Sequence, residues 1–173
     1  MKRIALLTSL SIMVVFALMT YFSACTPDAC VTRNVVCKNS GVCRDGDCIC
    51  ATGYEGDSCQ LRVNQKFESY YACIRTRLTN ETIVDDNDDT LRVKTKNDKF
   101  GLTFYSVRDS LIEVFNATVN GNYMTIPEMV ILDRKYWGNG SLNQGVLTIT
   151  LYSSWPVSNP VNSSKTTYVG YKY

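Results

Sequence analysis

The sequence predicts an all-β chain in which a small disulfide-rich module precedes an antiparallel β-barrel or β-sandwich. Three observations lead to this prediction. Six cysteines fall between Cys30 and Cys59, apolar and polar residues alternate in short runs from residue 64 to residue 173, and no stretch keeps a helical apolar period over three turns. With 173 residues, the chain is long enough for one ordinary core and one small appended module.

The first 24 residues have the layout of an export signal. Lys2 and Arg3 precede the apolar run IALLTSLSIMVVFALM, and the small residues Ser23 and Ala24 follow it. The apolar run is short for the roughly twenty residues that a bilayer-spanning helix needs, which disfavours the alternative of a transmembrane anchor. We therefore predict a signal peptide over residues 1–24.

Cys25 directly follows this signal. The stretch Phe22-Ser23-Ala24-Cys25 resembles the lipobox of bacterial lipoproteins, with Phe22 where leucine is usual. The resemblance implies cleavage before Cys25, acylation of Cys25 with chains such as palmitate, and a lipidated tether over residues 25–29. Each buried lipid CH₂ contributes about 0.8 kcal/mol, so such an anchor holds a protein at a membrane without a spanning helix. Cleavage by an ordinary signal peptidase, which leaves a plain thiol at Cys25, is the alternative.

The cysteines between residues 30 and 59 predict a stapled module. A segment of this size cannot bury enough apolar surface to fold on a core alone, so it needs covalent cross-links. Six cysteines allow fifteen pairings, and the residues alone do not choose among them. A cysteine-rich zinc site is the competing interpretation, but paired C-x2-C knuckles are absent and an exported chain favours disulfides. Asp45-Gly46 favours a tight hairpin turn inside the module.

The spacing around the last cysteine carries a family resemblance. Residues 50–59, CATGYEGDSC, resemble the C-x-x-G-[YF]-x-G-x-x-C signature of EGF-like domains, with Gly53, Tyr54 and Gly56 at its turn positions. Residues 37–48 are similar to the compact tenascin type, so we expect an EGF-like domain over residues 30–62. The disulfides that this resemblance implies are Cys30–Cys43, Cys37–Cys48 and Cys50–Cys59.

A strand domain is predicted over residues 64–173. Asn120-Gly121 lies between β-rich arms in residues 111–126 and favours a type I′ hairpin. The residues expected on one face of this hairpin are Leu111, Phe115, Ala117 and Val119. A second hairpin over residues 140–151 is expected to direct Leu147, Ile149 and Leu151 inward. Further strands are expected near residues 67–77, 90–96, 100–106, 128–134 and 165–172, and sequence-adjacent hairpins favour a meander.

The combination of the two parts also carries a resemblance. An EGF-like module followed by strands containing ATVNGNYMTIPE and GNGSLNQGVLTITLY is similar to small lipoproteins of the Bacteroidota, whose C-terminal domains are lipocalin-like. This resemblance implies a barrel and a place in the bacterial cell envelope, at the outer membrane.

The run Asp85-Asp86-Asn87-Asp88-Asp89 is the candidate metal cluster of the chain. Four carboxylates in five residues are able to chelate a hard cation, but the run lacks the glycine and distal glutamate of a standard calcium loop. We therefore expect a solvated turn between strands and no metal or other cofactor. The chain has no histidine, which excludes catalytic triads and zinc sites that use it, and we expect a protein that is not an enzyme, with no catalytic residues.

Cys73 is left over once Cys25 takes a lipid and six cysteines staple the module. We predict a buried free thiol on a strand, next to Tyr71 and Ile74. An intermolecular disulfide at Cys73 is one alternative. The other pairs Cys25 with Cys73, which abolishes the lipid anchor.

The charge and the aromatic residues limit the possible partners. Lys2 and Arg3 account for the whole formal charge of +2, so the exported part is neutral and nucleic acid is not an expected partner.

We predict a membrane-anchored envelope lipoprotein with a binding or adhesion role toward an extracellular protein or glycan, and the EGF-like module as its rigid spacer. Aromatic side chains of the strand domain are candidates for a sugar or lipid pocket, with sheet packing as the other role. A lipocalin-like carrier of a small apolar ligand and a secreted EGF-type ligand are the alternatives.

Overall fold

The computed structural model describes residues 27–108 and 114–173. It is nearly all β, with a disulfide-rich N-terminal region followed by an eight-stranded antiparallel barrel, which confirms the predicted fold class. The predicted signal peptide, Cys25 and Leu111 lie outside the described residues. In the part of the chain that the structure describes, no helix has the length and apolar character needed to cross a bilayer.

The N-terminal region consists of one short helix and two small hairpins. Asp28 caps the helix, because its carboxylate accepts a hydrogen bond of 2.8 Å from the Cys30 backbone N–H. The predicted turn at Asp45-Gly46 is present, and both residues have positive φ, 54° and 93°. The elements are α1 Ala29–Thr32, β1 Val42–Arg44, β2 Asp47–Ile49, β3 Tyr54–Glu55 and β4 Leu61–Arg62.

A 3₁₀ turn at Gln65–Phe67 leads into the barrel. Each barrel strand pairs with the next one along the chain, and the last strand pairs with the first, so the sheet is a closed up-and-down meander. This topology decides between the predicted barrel and sandwich in favour of the barrel. The strands are β5 Ser69–Thr79, β6 Thr82–Thr95, β7 Gly101–Ser106, β8 Phe115–Asn120, β9 Tyr123–Ile131, β10 Arg134–Asn143, β11 Val146–Trp155 and β12 Asn162–Lys172.

Two of the predicted local features were placed incorrectly. Asn120 pairs with Tyr123, so the turn residues are Gly121 and Asn122. Gly121 has a φ of 59° at the first central position, which is the type II′ pattern and not type I′. The strand expected at 128–134 is interrupted, because Leu132-Asp133 forms a two-residue turn with φ values of 48° and 58°.

Inward side chains fill the barrel at its end near the disulfide-rich region. Phe67 from the 3₁₀ turn is fully buried there, and the Tyr71 hydroxyl donates a 2.9 Å hydrogen bond to the Phe67 carbonyl. Phe104 and Phe115 stack with their ring centroids 5.2 Å apart. The side chains predicted to point inward are buried: Phe115, Ala117, Val119, Leu147, Ile149 and Leu151.

The seam that closes the barrel joins β12 to β5 through nine residue pairs. Cys73 on β5 lies opposite Gly170 on β12, and a Cβ atom at Gly170 would fall on the Cys73 sulfur. The absence of a side chain at residue 170 is therefore what lets the Cys73 thiol point into the core at this place.

We expect Gly170→Ala to lower the free energy of unfolding by about 1–3 kcal/mol, because the added methyl group overpacks the seam. Cys73→Ala supplies space for that methyl group, so the double variant should lose less stability than the two single variants together. Urea unfolding of the four proteins measures this coupling. Strictly additive losses would contradict the packing of Gly170 against Cys73.

Candidate functional site

The disulfides of the N-terminal region are the three that the EGF resemblance implied. The structure joins Cys30 to Cys43, Cys37 to Cys48 and Cys50 to Cys59. Gly53 and Gly56 have φ values of 91° and 90°, a backbone region that glycine adopts without strain. These turns place Tyr54 toward the barrel, where the Lys99 ammonium lies 4.5 Å from the centroid of the Tyr54 ring.

Arg62 joins the disulfide-rich module to the barrel. Its guanidinium donates to the backbone carbonyls of Lys96, Asn97 and Asp98, at distances of 3.4, 3.2 and 3.3 Å. All three carbonyls belong to the connection between β6 and β7. One terminal nitrogen of Arg62 makes all three contacts, so a single side chain ties this connection to the module.

Further contacts stiffen the same junction. The Lys66 ammonium lies 2.8 Å from the Glu55 carboxylate, and the Val63 backbone N–H donates to the Gly53 carbonyl at 3.1 Å. The buried Asn64 side chain donates to the carbonyls of Asp98 and Gly101, at 2.9 Å each. Residues 62–66 are therefore tied to both parts and do not form a loose linker.

Asp98 holds the other side of the junction. Its carboxylate accepts hydrogen bonds from the backbone N–H groups of Gly101 and Phe100. These two bonds keep the pKa of Asp98 below its usual value, and the bond from Gly101 has the larger effect.

The candidate metal cluster is divided between the two faces of a strand. The run lies within β6, not in a solvated turn, so alternate carboxylates point in opposite directions. Asp85 and Asp89 face Arg75, whereas Asp86 accepts a 3.2 Å hydrogen bond from the Thr76 hydroxyl. Across the described residues, no three His, Cys, Asp or Glu side chains are grouped so as to hold a metal ion.

Arg75 forms the centre of a charged cluster inside the barrel. One of its terminal nitrogens pairs with Asp85, and the other lies 3.4 Å from Asp89, whose side chain has 0% exposure. The Ser106 hydroxyl lies 2.9 and 2.8 Å from the two Asp89 oxygens and donates to them. These bonds compensate a carboxylate that would otherwise be very costly to bury.

Sequence reasoning missed this cluster, although a signal for it was present. Every second residue of a strand lies on the same face, and this spacing places Tyr71, Cys73 and Arg75 on one face of β5. An arginine on that inward face requires a carboxylate partner, and the neighbouring acidic run on β6 supplies two.

Cys73 is buried and free, and its surroundings make it a poor nucleophile. Burial, aided by the negative charge of Asp89 and opposed by a backbone hydrogen bond from Leu91, raises the pKa of Cys73 to about 11. Burial likewise raises the pKa of Tyr71 to about 12, with a smaller contribution from Cys73. Since the thiolate is the reactive form, Cys73 has the properties of a packing residue.

The aromatic residues divide between the core and the outer surface. Tyr71, Tyr136 and Tyr168 are buried and pack the interior of the barrel. On the outer face, Trp137 and Tyr152 stack with their centroids 5.9 Å apart and an angle of 17° between the rings. Both rings line a surface groove of about 180 Å³.

Comparison with known proteins relates a short part of the chain to another protein. No family model matches the chain, and no solved structure matches it. A neurogenic locus notch homolog protein of Giardia intestinalis (strain ATCC 50803 / WB clone C6) is 46% identical over 37 residues. These residues are 21% of this chain and 6% of that protein, so the chain spans only a small part of its relative. The match and the three disulfides fit an EGF-like module.

We expect Arg75→Met to lower the free energy of unfolding by about 3–5 kcal/mol, because it leaves the buried Asp89 carboxylate without its cation. Arg44→Met is the matched control. Arg44 and Asp45 form an exposed pair, with a separation of 3.8 Å and side-chain exposures of 76% and 93%, so its loss should change stability by less than about 0.5 kcal/mol. Urea unfolding measures both, and equal effects would contradict a stabilising role for the buried cluster.

Proposed function

We propose that the protein is an exported, lipid-anchored lipoprotein of the bacterial cell envelope with a non-enzymatic binding or adhesion role. Its EGF-like module is a rigid stem, and its barrel carries the binding surface. The anchor is the acylated Cys25 at the outer membrane, and the partner is an extracellular protein or glycan. The function needs no cofactor.

The contact of Arg62 with the β6–β7 connection is the observation that carries this proposal. A stem transmits the position of an anchor to a binding domain only when the two parts do not rotate freely. Three carbonyl contacts from Arg62, the Lys66–Glu55 ion pair and the buried Asn64 side chain restrict that rotation. The three disulfides make the stem itself stiff.

The structural contacts count against the two alternatives. A carrier of a small apolar ligand needs open interior space, but the inward side chains Leu91, Leu102, Phe104 and Leu147 are each at most 1% exposed. A secreted EGF-type ligand needs the residues that follow its last cysteine for its receptor. Arg62, which follows Cys59 in this chain, is instead engaged by the barrel.

Arg62→Ala should loosen the stem without unfolding either part, because it removes three of the contacts to the β6–β7 connection and leaves those of Asn64. We expect different rotational correlation times for residues 30–62 and 69–173 by ¹⁵N relaxation, whereas the wild type should tumble as one body. Arg44→Ala, on the exposed face of the stem, should retain the single correlation time. A wild-type protein whose two parts already tumble separately would refute the rigid stem.

Cys25→Ala should release the protein from membranes when it is expressed in a bacterial host that acylates lipoproteins. The wild type should partition into the detergent phase, and intact-mass measurement should show acyl chains on the mature protein. Cys73→Ala is the control and should keep the lipid mass, since Cys73 is a free buried thiol. A wild-type mature protein that carries no acyl mass would overturn the anchor.

A further inference from the structure

Four outward side chains form one continuous row across the barrel surface. Trp137 on β10 lies opposite Tyr152 on β11, Tyr152 lies opposite Lys165 on β12, and Lys165 lies opposite Leu78 on β5. Cross-strand partners on one face of a sheet are direct neighbours. The row therefore places an aromatic surface, an ammonium group and an aliphatic side chain side by side on the outer wall.

The aromatic part of the row presents ring surface to solvent. The Trp137 and Tyr152 rings are offset, with centroids 5.9 Å apart and an angle of 17° between them, and Trp137 is 37% exposed. An aromatic face carries partial negative charge. The C–H groups on one side of a pyranose ring carry partial positive charge, so that side of a sugar stacks favourably on such a face.

A polar turn fixed to the barrel wall stands beside the aromatic pair. The Asn80 backbone N–H donates to the Ser163 carbonyl and the Ser163 N–H donates to the Asn80 side-chain oxygen, both at 3.1 Å. This reciprocal pair holds the Asn80-Glu81 turn at the edge of the groove. The carboxylate of the exposed Glu81 and the ammonium of the exposed Lys165 are hydrogen-bonding groups of the types that sugar hydroxyls use.

From this combination we infer that the groove lined by Trp137, Tyr152, Lys165, Leu78, Asn80 and Glu81 binds a neutral pyranose residue of a glycan. Its volume of about 180 Å³ is below the roughly 300–1,000 Å³ of pockets for drug-sized ligands, which suits one ring of a longer chain. The opposite charges of Glu81 and Lys165 give no net preference for an anionic ligand. The inference rests on the proposed binding function and specifies its ligand class.

The test uses the mature chain on an immobilised panel of neutral oligosaccharides built from glucose, galactose, mannose and N-acetylglucosamine, followed by calorimetric titration of the best ligand. Trp137→Ala and Tyr152→Ala should each weaken binding at least tenfold. Lys165→Ala and Glu81→Ala, which leave the aromatic pair intact, should weaken it severalfold. Tyr123→Ala is the control, because Tyr123 is 68% exposed on β9 outside the groove, and it should leave the affinity unchanged.

A parallel measurement separates this inference from the proposed function. Binding of the same proteins to intact cells and to isolated extracellular matrix tests the binding role without assuming a sugar. Adhesion that survives Trp137→Ala and Tyr152→Ala, in variants with wild-type thermal unfolding, would overturn the groove and leave the binding role standing. Failure of the wild type to bind any oligosaccharide of the panel would also overturn the groove.

Discussion

The pairing of β12 with β5 is the constraint on which the rest of the barrel depends. An open eight-stranded meander would leave two unpaired edges and an incompletely covered core, and the nine residue pairs of the seam remove both. To close the barrel, β12 and β5 must form hydrogen bonds and must also lie close together without their side chains colliding. At Gly170 the chain meets this demand by omitting a side chain, which leaves the interior position to Cys73. A cysteine that appeared left over by counting is thus part of the closing contact.

Closure also explains how the interior is divided. Toward the disulfide-rich module, the inward side chains are apolar, and Phe67 is buried among them. Farther along the same strands, the inward positions hold Arg75, Asp89 and Ser106, whose charges and hydroxyl group satisfy one another. Among the described residues, the inward positions are thus divided between an apolar part and a charged part.

Local patterns made much of this fold predictable. Alternation alone placed Phe115, Ala117 and Val119 on the buried face of β8, and the spacing near Cys59 carried the EGF-like resemblance. The acidic run from Asp85 to Asp89 was misread because five polar residues indicate a solvated turn when no partner is known. In the structure the run belongs to a strand, and Asp85 and Asp89 face inward as the ion-pair partners of Arg75 on the adjacent strand. Whether a polar run forms a turn or a strand depends on the residues of the neighbouring strand, and these cannot be identified from the run itself.

The junction and the groove were hidden from sequence for the same reason. Arg62 binds main-chain carbonyls more than thirty residues away in the sequence. Every residue has such a carbonyl, so the residue types do not reveal which carbonyls accept these bonds. The groove takes Leu78 from the first barrel strand and Lys165 from the last, so its row of side chains exists only after the seam has formed. The stability of the closed barrel and the presence of the surface site are therefore coupled. Separation of Lys165 from Leu78 at a weakened seam would therefore remove the groove.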